Sequence, residues 1–169
     1  MSEFLEKAEK TRDYLDYIEE HYSNVQQAWI KVQEKCKDMR IISDDYYFSF
    51  LNEEIEEHDL SKLSADEFIQ YRKSFFKTDM EPETELDTAW ECHKQSNLHH
   101  WENWTTKSFS DPNEWEVHCA HMVIDWVAMG YKFGDTAKTF YEKNKDKILL
   151  PVYAVEFMYE IFNRVYKLI

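Results

Sequence analysis

Residues that interrupt helices are scarce in this chain, which has two glycines and three prolines among 169 residues. Long stretches of the chain can therefore continue as helix without a break. Apolar residues in these stretches recur at spacings of three and four instead of alternating, which is the period of an amphipathic helix. The sequence predicts an all-α fold, a helical bundle of about six to seven helices.

The length of the chain predicts one domain over residues 1–169, because a chain of this size buries roughly 70% of its unfolded surface in one core. The cysteines Cys36, Cys92 and Cys119 form no C-x-x-C pair, which predicts reduced thiols and a cytoplasmic location. There is neither a basic segment followed by an apolar one nor a long apolar run. We therefore expect neither export nor a membrane span.

The charge of the chain restricts its partners. The sequence has 20 basic and 34 acidic residues, a formal net charge of −14. Such a surface repels the phosphate backbone of nucleic acids, so we expect no non-specific binding of duplex nucleic acid. A small anionic substrate is compatible with this charge if a metal ion or a lysine offsets it locally.

The apolar pattern and the capping residues predict where the helices lie. The first helix carries an apolar stripe of Phe4, Ala8, Leu15, Ile18, Tyr22, Val25, Trp29, Val32 and Cys36. A second starts at a cap of Ser43 or Asp44, and Ser64 to Glu67 matches a capping box that starts a third. Later helices run from about residue 85 to 93, from Asp111-Pro112 to about Met129 with Gly130 after the last turn, and within residues 136–169.

The stretch His58-Asp59-Leu60-Ser61-Lys62 joins an imidazole, a carboxylate and an ammonium group within five residues. Neutral imidazole and ionised carboxylate both bind divalent ions such as Mn, Fe, Ni or Zn. Lys62 follows His58 by four residues, so a continuing helical turn would bring its ammonium back near the pair, where a phosphate can sit. The alternative is a histidine at a helix end followed by a capping aspartate.

Other histidines and one aspartate form the remaining candidate ligands. His93, His99 and His100 fall within eight positions of an aromatic-rich segment, where the alternative is hydrogen-bonded imidazoles. A later helix carries His118, His121 and Asp125 along one face, and Asp125 has apolar neighbours in which a carboxylate needs a metal or an ion-pair partner. His21 borders the first apolar stripe, where it can be a ligand or a buried histidine with one hydrogen bond.

The order His21, His58-Asp59, His93, His99-His100, Asp125 resembles the HD-domain metal-dependent phosphohydrolases, whose signature is H…HD…D on a helical bundle. The additional histidines make it similar to the binuclear branch that includes the HD-GYP phosphodiesterases. The stretches around Asp59, His99 and Asp125 look more closely like an uncharacterised family of phages and bacteria with HD-like features. No Gly-Tyr-Pro follows the double histidine, which argues against specificity for cyclic-di-GMP.

The resemblance implies a metal site within residues of about 21–130, followed by scaffold helices at 136–169. It assigns His21, His58, Asp59 and Asp125 as basic ligands, with Asp59 bridging if two ions bind, and His93 with His99 or His100 as added ligands. One or two ions of Mn, Fe, Ni, Zn or Mg are expected. Lys62 would lie near the phosphate, and Glu102 could deliver a proton to the leaving oxygen. His118 and His121 would support these ligands or contact substrate, or would simply lie at the surface.

The function that these implications predict is hydrolysis of a nucleotide or another small phosphoester by a metal-activated water. The location would be a host cytoplasm if the chain is phage-encoded. An alternative is a non-catalytic, phage-type binding or inhibitor protein that retains an HD-like fold, for which an acidic surface is suited. A di-iron carboxylate bundle is disfavoured, because no Glu-x-x-His repeat occurs among the seven histidines.

Overall fold

Nine α-helices and one 3-10 helix form the regular structure of residues 2–82 and 86–167, which are the part of the chain that the computed structural model describes. No strand occurs within this part, so the all-α prediction is confirmed. The α-helices are α1 (Glu3–Lys35), α2 (Arg40–Ser43), α3 (Asp45–Glu56), α4 (Phe68–Phe75), α5 (Leu86–Ser96), α6 (Trp101–Trp104), α7 (Trp115–Phe133), α8 (Ala137–Asn144) and α9 (Val152–Val165). The 3-10 helix spans Leu60–Leu63.

The chain divides into two compact units. Unit 1 comprises Met1–Tyr22 and Asp59–Asn97, and unit 2 comprises Ser23–His58 and Leu98–Ile169. The single domain expected from chain length stays a prediction. The three cysteines are free thiols, as their spacing indicated.

The core of unit 2 is built around α7, which is apolar on nearly every face and packs against α3, α8 and α9. A helix that is apolar all round lies in the interior of a protein, because every face needs to be removed from water. The core adds the second half of the α1 stripe, in which Val25, Trp29 and Val32 are buried. Two polar residues of α7, His118 and His121, are buried with these apolar residues.

The core of unit 1 is smaller and aromatic. Tyr14 of α1 is 1% exposed, and its ring lies 5.2 Å from that of Phe68 and 5.8 Å from that of Phe76. Beside this core, Arg72 forms a buried two-pronged ion pair with Glu81, whose carboxylate also accepts the backbone N–H of Thr78. The pair holds the end of α4 to the segment that follows it.

Several local predictions need correction. The burial predicted for the first half of the α1 stripe is wrong. Phe4 is 77% exposed and Leu15 is 43% exposed, and the buried residue in this part of the helix is Tyr14. Asp44 caps α3 as predicted, because its side chain accepts the N–H groups of Tyr46 and Tyr47. The capping box from Ser64 is not formed, because α4 begins at Phe68 and its N-cap position is held by Glu67 instead of Ser64.

The boundaries predicted for α7 were wrong at both ends. Asp111 does not cap the helix; its carboxylate accepts the N–H of Asn113 in a turn that precedes α7. Gly130 lies inside α7, and the helix ends at Gly134, which adopts a left-handed conformation with φ 71°. Gly130 is needed for a close contact, since a Cβ atom there would lie 2.5 Å from the carbonyl oxygen of Asp135.

Candidate metal centres

The backbone at Asp59 places its side chain within unit 1. Asp59 has φ 57°, a left-handed conformation that aspartate adopts more readily than most residues. It is followed by the 3-10 helix, in which the N–H of Lys62 donates to the carbonyl of Asp59 at 2.9 Å. The expected helical return of Lys62 is therefore a 3-10 turn, and it brings the ammonium 2.5 Å from Asp59 Oδ2.

The Asp59 cluster of unit 1 consists of His21, Asp59, Lys62, Glu67 and His93, and it places an imidazole beside each oxygen of the Asp59 carboxylate. His21 Nε2 lies 3.3 Å from Oδ2, and His93 Nε2 lies 3.2 Å from Oδ1. Asp59 and His21 are each 5% exposed, and His93 is 2% exposed. The Asp59 carboxylate therefore presents each of its oxygens to a different imidazole, in a site with little access to water.

The far side of the His93 ring contacts a second carboxylate. Glu67 is 1% exposed, and its Oε2 lies 2.9 Å from His93 Nδ1. Burial lowers the pKa of His93, but the hydrogen bonds to Asp59 and Glu67 outweigh it, so the pKa lies above the usual value. In the absence of a metal ion, the two carboxylates thus favour a proton on each ring nitrogen.

The His58 cluster of unit 2 consists of His58, His99, His100, His121 and Asp125. His58 Nδ1 lies 2.8 Å from His121 Nε2, and the ring of His99 is centred 4.6 Å from that of His58 and 4.5 Å from that of His121. The opposite nitrogen of His58, Nε2, lies 3.8 Å from Asp125 Oδ1. The ring of His100 is 4.3 Å from that of His99.

Glu54 of α3 lies beside two histidines of α7. Its Oε2 is 3.7 Å from His121 Nδ1 and 4.0 Å from His118 Nδ1. Burial would raise the pKa of Glu54, but the interactions with His121 and His118 lower it below the usual range. Burial lowers the pKa of His121 more strongly than Glu54 raises it. Both imidazoles of α7 are thereby kept neutral, the state in which a histidine binds metal.

Both clusters have the donor chemistry of a metal site. One nitrogen from each of His58, His99 and His121 can be chosen so that all three lie within 4.8 Å of one another. The present contact of 2.8 Å between His58 and His121 must open before both can bind one ion, since ligands at about 2.1 Å in a tetrahedral site lie roughly 3.4 Å apart. The described part of the chain therefore contains buried histidine and aspartate groups that can hold a metal ion.

The structure places most of the predicted site residues within these two clusters. His21, Asp59, Lys62 and His93 lie in the Asp59 cluster, while His58, His99, His100, His121 and Asp125 lie in the His58 cluster. Glu102 lies half-buried on the single turn of α6, and its role in proton delivery stays a prediction. His118 is fully buried, which rules out the surface position that was one alternative.

Sequence reasoning missed two carboxylates, Glu67 and Glu54. The capping-box pattern gives Glu67 a different role, and no motif of the sequence singles out Glu54. Their histidine partners are distant in sequence, 26 positions away for Glu67. No sequence pattern distinguishes a buried glutamate from an exposed one, so neither carboxylate could be identified before the structure was known.

Fold and clusters together define an all-α protein with buried groups of histidine and carboxylate side chains. The chain belongs to a family of unknown function, DUF5662, whose model matches residues 10–163. No curated protein and no solved structure matches the chain. Within the described residues, no helix has the length and apolar character to cross a membrane.

Proposed function

We propose that this protein is a metal-dependent phosphohydrolase that acts on a nucleotide or another small phosphoester. The observation that carries the proposal is the Asp59 carboxylate, buried with an imidazole nitrogen beside each of its oxygens. A buried carboxylate presented to two imidazoles is a ligand arrangement for divalent ions. The order of these residues along the chain, which resembles the HD signature, indicates phosphoester hydrolysis as the reaction.

Unit 1 would supply His21, Asp59 and His93 as ligands. The two oxygens of Asp59 face different histidines, so this carboxylate is suited to serve two ions. Lys62 now neutralises Asp59 Oδ2. With Asp59 bound to an ion, Lys62 would be able to contact a phosphoryl oxygen, and the 3-10 helix would keep its backbone close to the site.

Unit 2 would supply its own ligand set, the imidazoles of His58, His99 and His121. Asp125 Oδ1 lies on the Nε2 side of His58, opposite the nitrogen that faces His121, so it would orient the His58 ring for this set. His100 would then support His99 by ring contact instead of binding an ion, because the group of three nitrogens within unit 2 includes His99. The ions fitting these donors are Mn, Fe, Ni or Zn, with Mg as the oxygen-preferring alternative.

A divalent ion bound by such residues supplies two effects: it lowers the pKa of water from about 15.7 towards about 7, and it offsets phosphoryl charge. The residues of the chain bind the ions, exclude bulk water through their burial, and place Lys62 for the phosphate. Glu102 is the proposed proton donor to the leaving oxygen. The net charge of −14 makes a small substrate a better match than a polymeric phosphate backbone. We propose the cytoplasm as its location.

A hydrolysis screen with matched variants tests the proposal. Protein loaded with Mn²⁺ is assayed against phosphomonoesters and phosphodiesters, including mononucleotides, cyclic nucleotides and nitrophenyl esters. Asp59→Asn removes the charge of the carboxylate but suits the left-handed backbone, which Asn tolerates. We expect its turnover to fall by at least about 100-fold, since the ligand charge is lost.

The matched control is Asp16→Asn, which changes an exposed aspartate of the same unit. Its turnover should equal that of the wild type. No hydrolysis of any substrate by metal-loaded wild type, or equal turnover in Asp59→Asn, would contradict the proposed activity. In the first case the non-catalytic binding protein becomes the better hypothesis.

A further inference from the structure

We infer that Glu67 is a positioning residue, which orients the His93 ring and keeps its Nε2 atom as the ligand nitrogen. The inference rests on the proposed metal site in unit 1 and adds to it a residue that binds no ion itself. A carboxylate behind a ligand histidine fixes the ring and raises its basicity.

The geometry around His93 assigns a separate role to each ring nitrogen. Nδ1 lies 2.9 Å from Glu67 Oε2, and Nε2 lies 3.2 Å from Asp59 Oδ1. An ionised carboxylate accepts hydrogen bonds and donates none, and the contact with Glu67 is the shorter of the two, so Nδ1 carries the proton of the neutral ring. A neutral imidazole has one N–H, and its lone pair is then at Nε2, on the side of Asp59.

Neighbouring polar groups are consistent with this tautomer. The amide nitrogen of Asn97 lies 3.1 Å from His93 Nδ1, where it could in principle donate to a bare nitrogen. Its two N–H groups have other acceptors, however, at 2.8 Å to Ser61 Oγ and 2.8 Å to the carbonyl of His93. The Ser61 hydroxyl also lies 3.4 Å from Nδ1, but the Glu67 contact at 2.9 Å is shorter and is the one to which Nδ1 donates.

One contact among the described residues accounts for the burial of Glu67. The residue is 1% exposed at the start of α4, yet its side chain makes no cap hydrogen bond. Among the described residues, its carboxylate is hydrogen-bonded to His93 alone. A carboxylate is costly to bury without a partner, so the contact with His93 accounts for its position.

Two measurements test the inference. The first is the ¹⁵N NMR spectrum of His93 in metal-free wild type, recorded at a pH high enough for the chemical shifts to show a neutral ring, with His93→Gln for assignment. We expect the Nδ1–H tautomer. A spectrum of the Nε2–H tautomer would overturn the inference without the need for a variant at position 67.

The second measurement is Mn²⁺ affinity in Glu67→Leu, Glu67→Gln and the control Glu9→Gln, which alters an exposed glutamate of the same unit. Loss of the carboxylate in Glu67→Leu should weaken binding by about 10–100-fold. Glu67→Gln can still accept from Nδ1 and should lose less, and the control should be unchanged.

The outcomes separate this inference from the proposed function. If wild type binds no Mn²⁺ or other divalent ion, the proposed function fails, and this inference fails with it. If wild type binds Mn²⁺ and folded Glu67→Leu binds it equally well, only the role of Glu67 is overturned. The tautomer measurement still decides the inference if Glu67→Leu does not fold.

Discussion

His118 is a buried imidazole without a hydrogen bond to either nitrogen from the described residues. The rings of Phe109 and Phe50 lie 5.1 Å and 5.7 Å away, and Glu54 and Glu114 approach its nitrogens at 4.0 Å and 3.7 Å. Burial lowers the pKa of His118 to about 4, more than the Glu54 charge raises it. The folded protein therefore keeps this residue neutral at pH values where the unfolded chain would protonate it.

This pKa predicts a pH dependence of stability. Between the unfolded pKa of 6.5 and the folded pKa of about 4, the unfolded state binds one more proton at His118, so stability falls as the pH falls. We expect protonation linked to His118 to lower the unfolding free energy by about 2 kcal/mol when the pH falls from 7.5 to 5. Urea unfolding of wild type and His118→Leu at both pH values measures the difference.

The His118→Leu variant should lose less stability on acidification than the wild type, by that amount. Because all other groups titrate in both proteins, the comparison isolates His118. Equal losses in the two proteins would show that the imidazole is already protonated, or accessible to water, in the folded state.

Among the helices, α7 shows which parts of an element the sequence predicts. Its existence and its histidine face followed from the apolar pattern, but its ends did not. Asp111-Pro112 has the composition of a helix start and forms a turn instead. Gly130 and Gly134 are both plausible terminators, and the deciding factor is the close approach of the Asp135 carbonyl to Gly130, a tertiary contact.

Substitution of the two glycines should distinguish their roles. In Gly130→Ala the added Cβ meets a backbone oxygen at 2.5 Å, so the turn after α7 must move. We expect a net loss of about 1–3 kcal/mol in unfolding free energy despite the helix preference of alanine. Gly134→Ala meets no atom within 4 Å and should lose only about 1 kcal/mol from its left-handed backbone.

Chemical denaturation of both variants gives these differences. An unchanged or increased stability in Gly130→Ala would contradict the proposed steric role, since it would show that the carbonyl moves at no cost. The comparison also tests whether α7 ends where the left-handed residue places it.

Helix α1 shows a second limit of sequence patterns. Its stripe of apolar residues predicted a single buried face, which is correct for Val25, Trp29 and Val32 but wrong for Phe4 and Leu15. Spacing identifies a face that can be buried; it does not say whether another element covers it along the full length of a helix. A helix of 33 residues is long enough for this difference to matter.

For the molecule as a whole, the sequence predicted the all-α fold and, apart from Glu67, the residues of both clusters. The candidate ligands could be identified from their residue types and their order along the chain, because metal ions bind only a few types of side chain. The contacts behind the ligands were not visible, since Glu67 with His93 and Glu54 with His121 are paired by tertiary structure. Membership of DUF5662 over residues 10–163 adds a family but no activity.

The metal content of the protein tests the proposed site at Asp59 most directly. Wild type, Asp59→Asn and the control Asp16→Asn are reconstituted with Mn, Fe, Ni or Zn, dialysed, and analysed by mass spectrometry for ions per chain. We predict one or two ions in the wild type and the control, and fewer in Asp59→Asn, because this carboxylate faces both His21 and His93. Wild type that retains no ion, or Asp59→Asn with undiminished content, would contradict a metal site at Asp59.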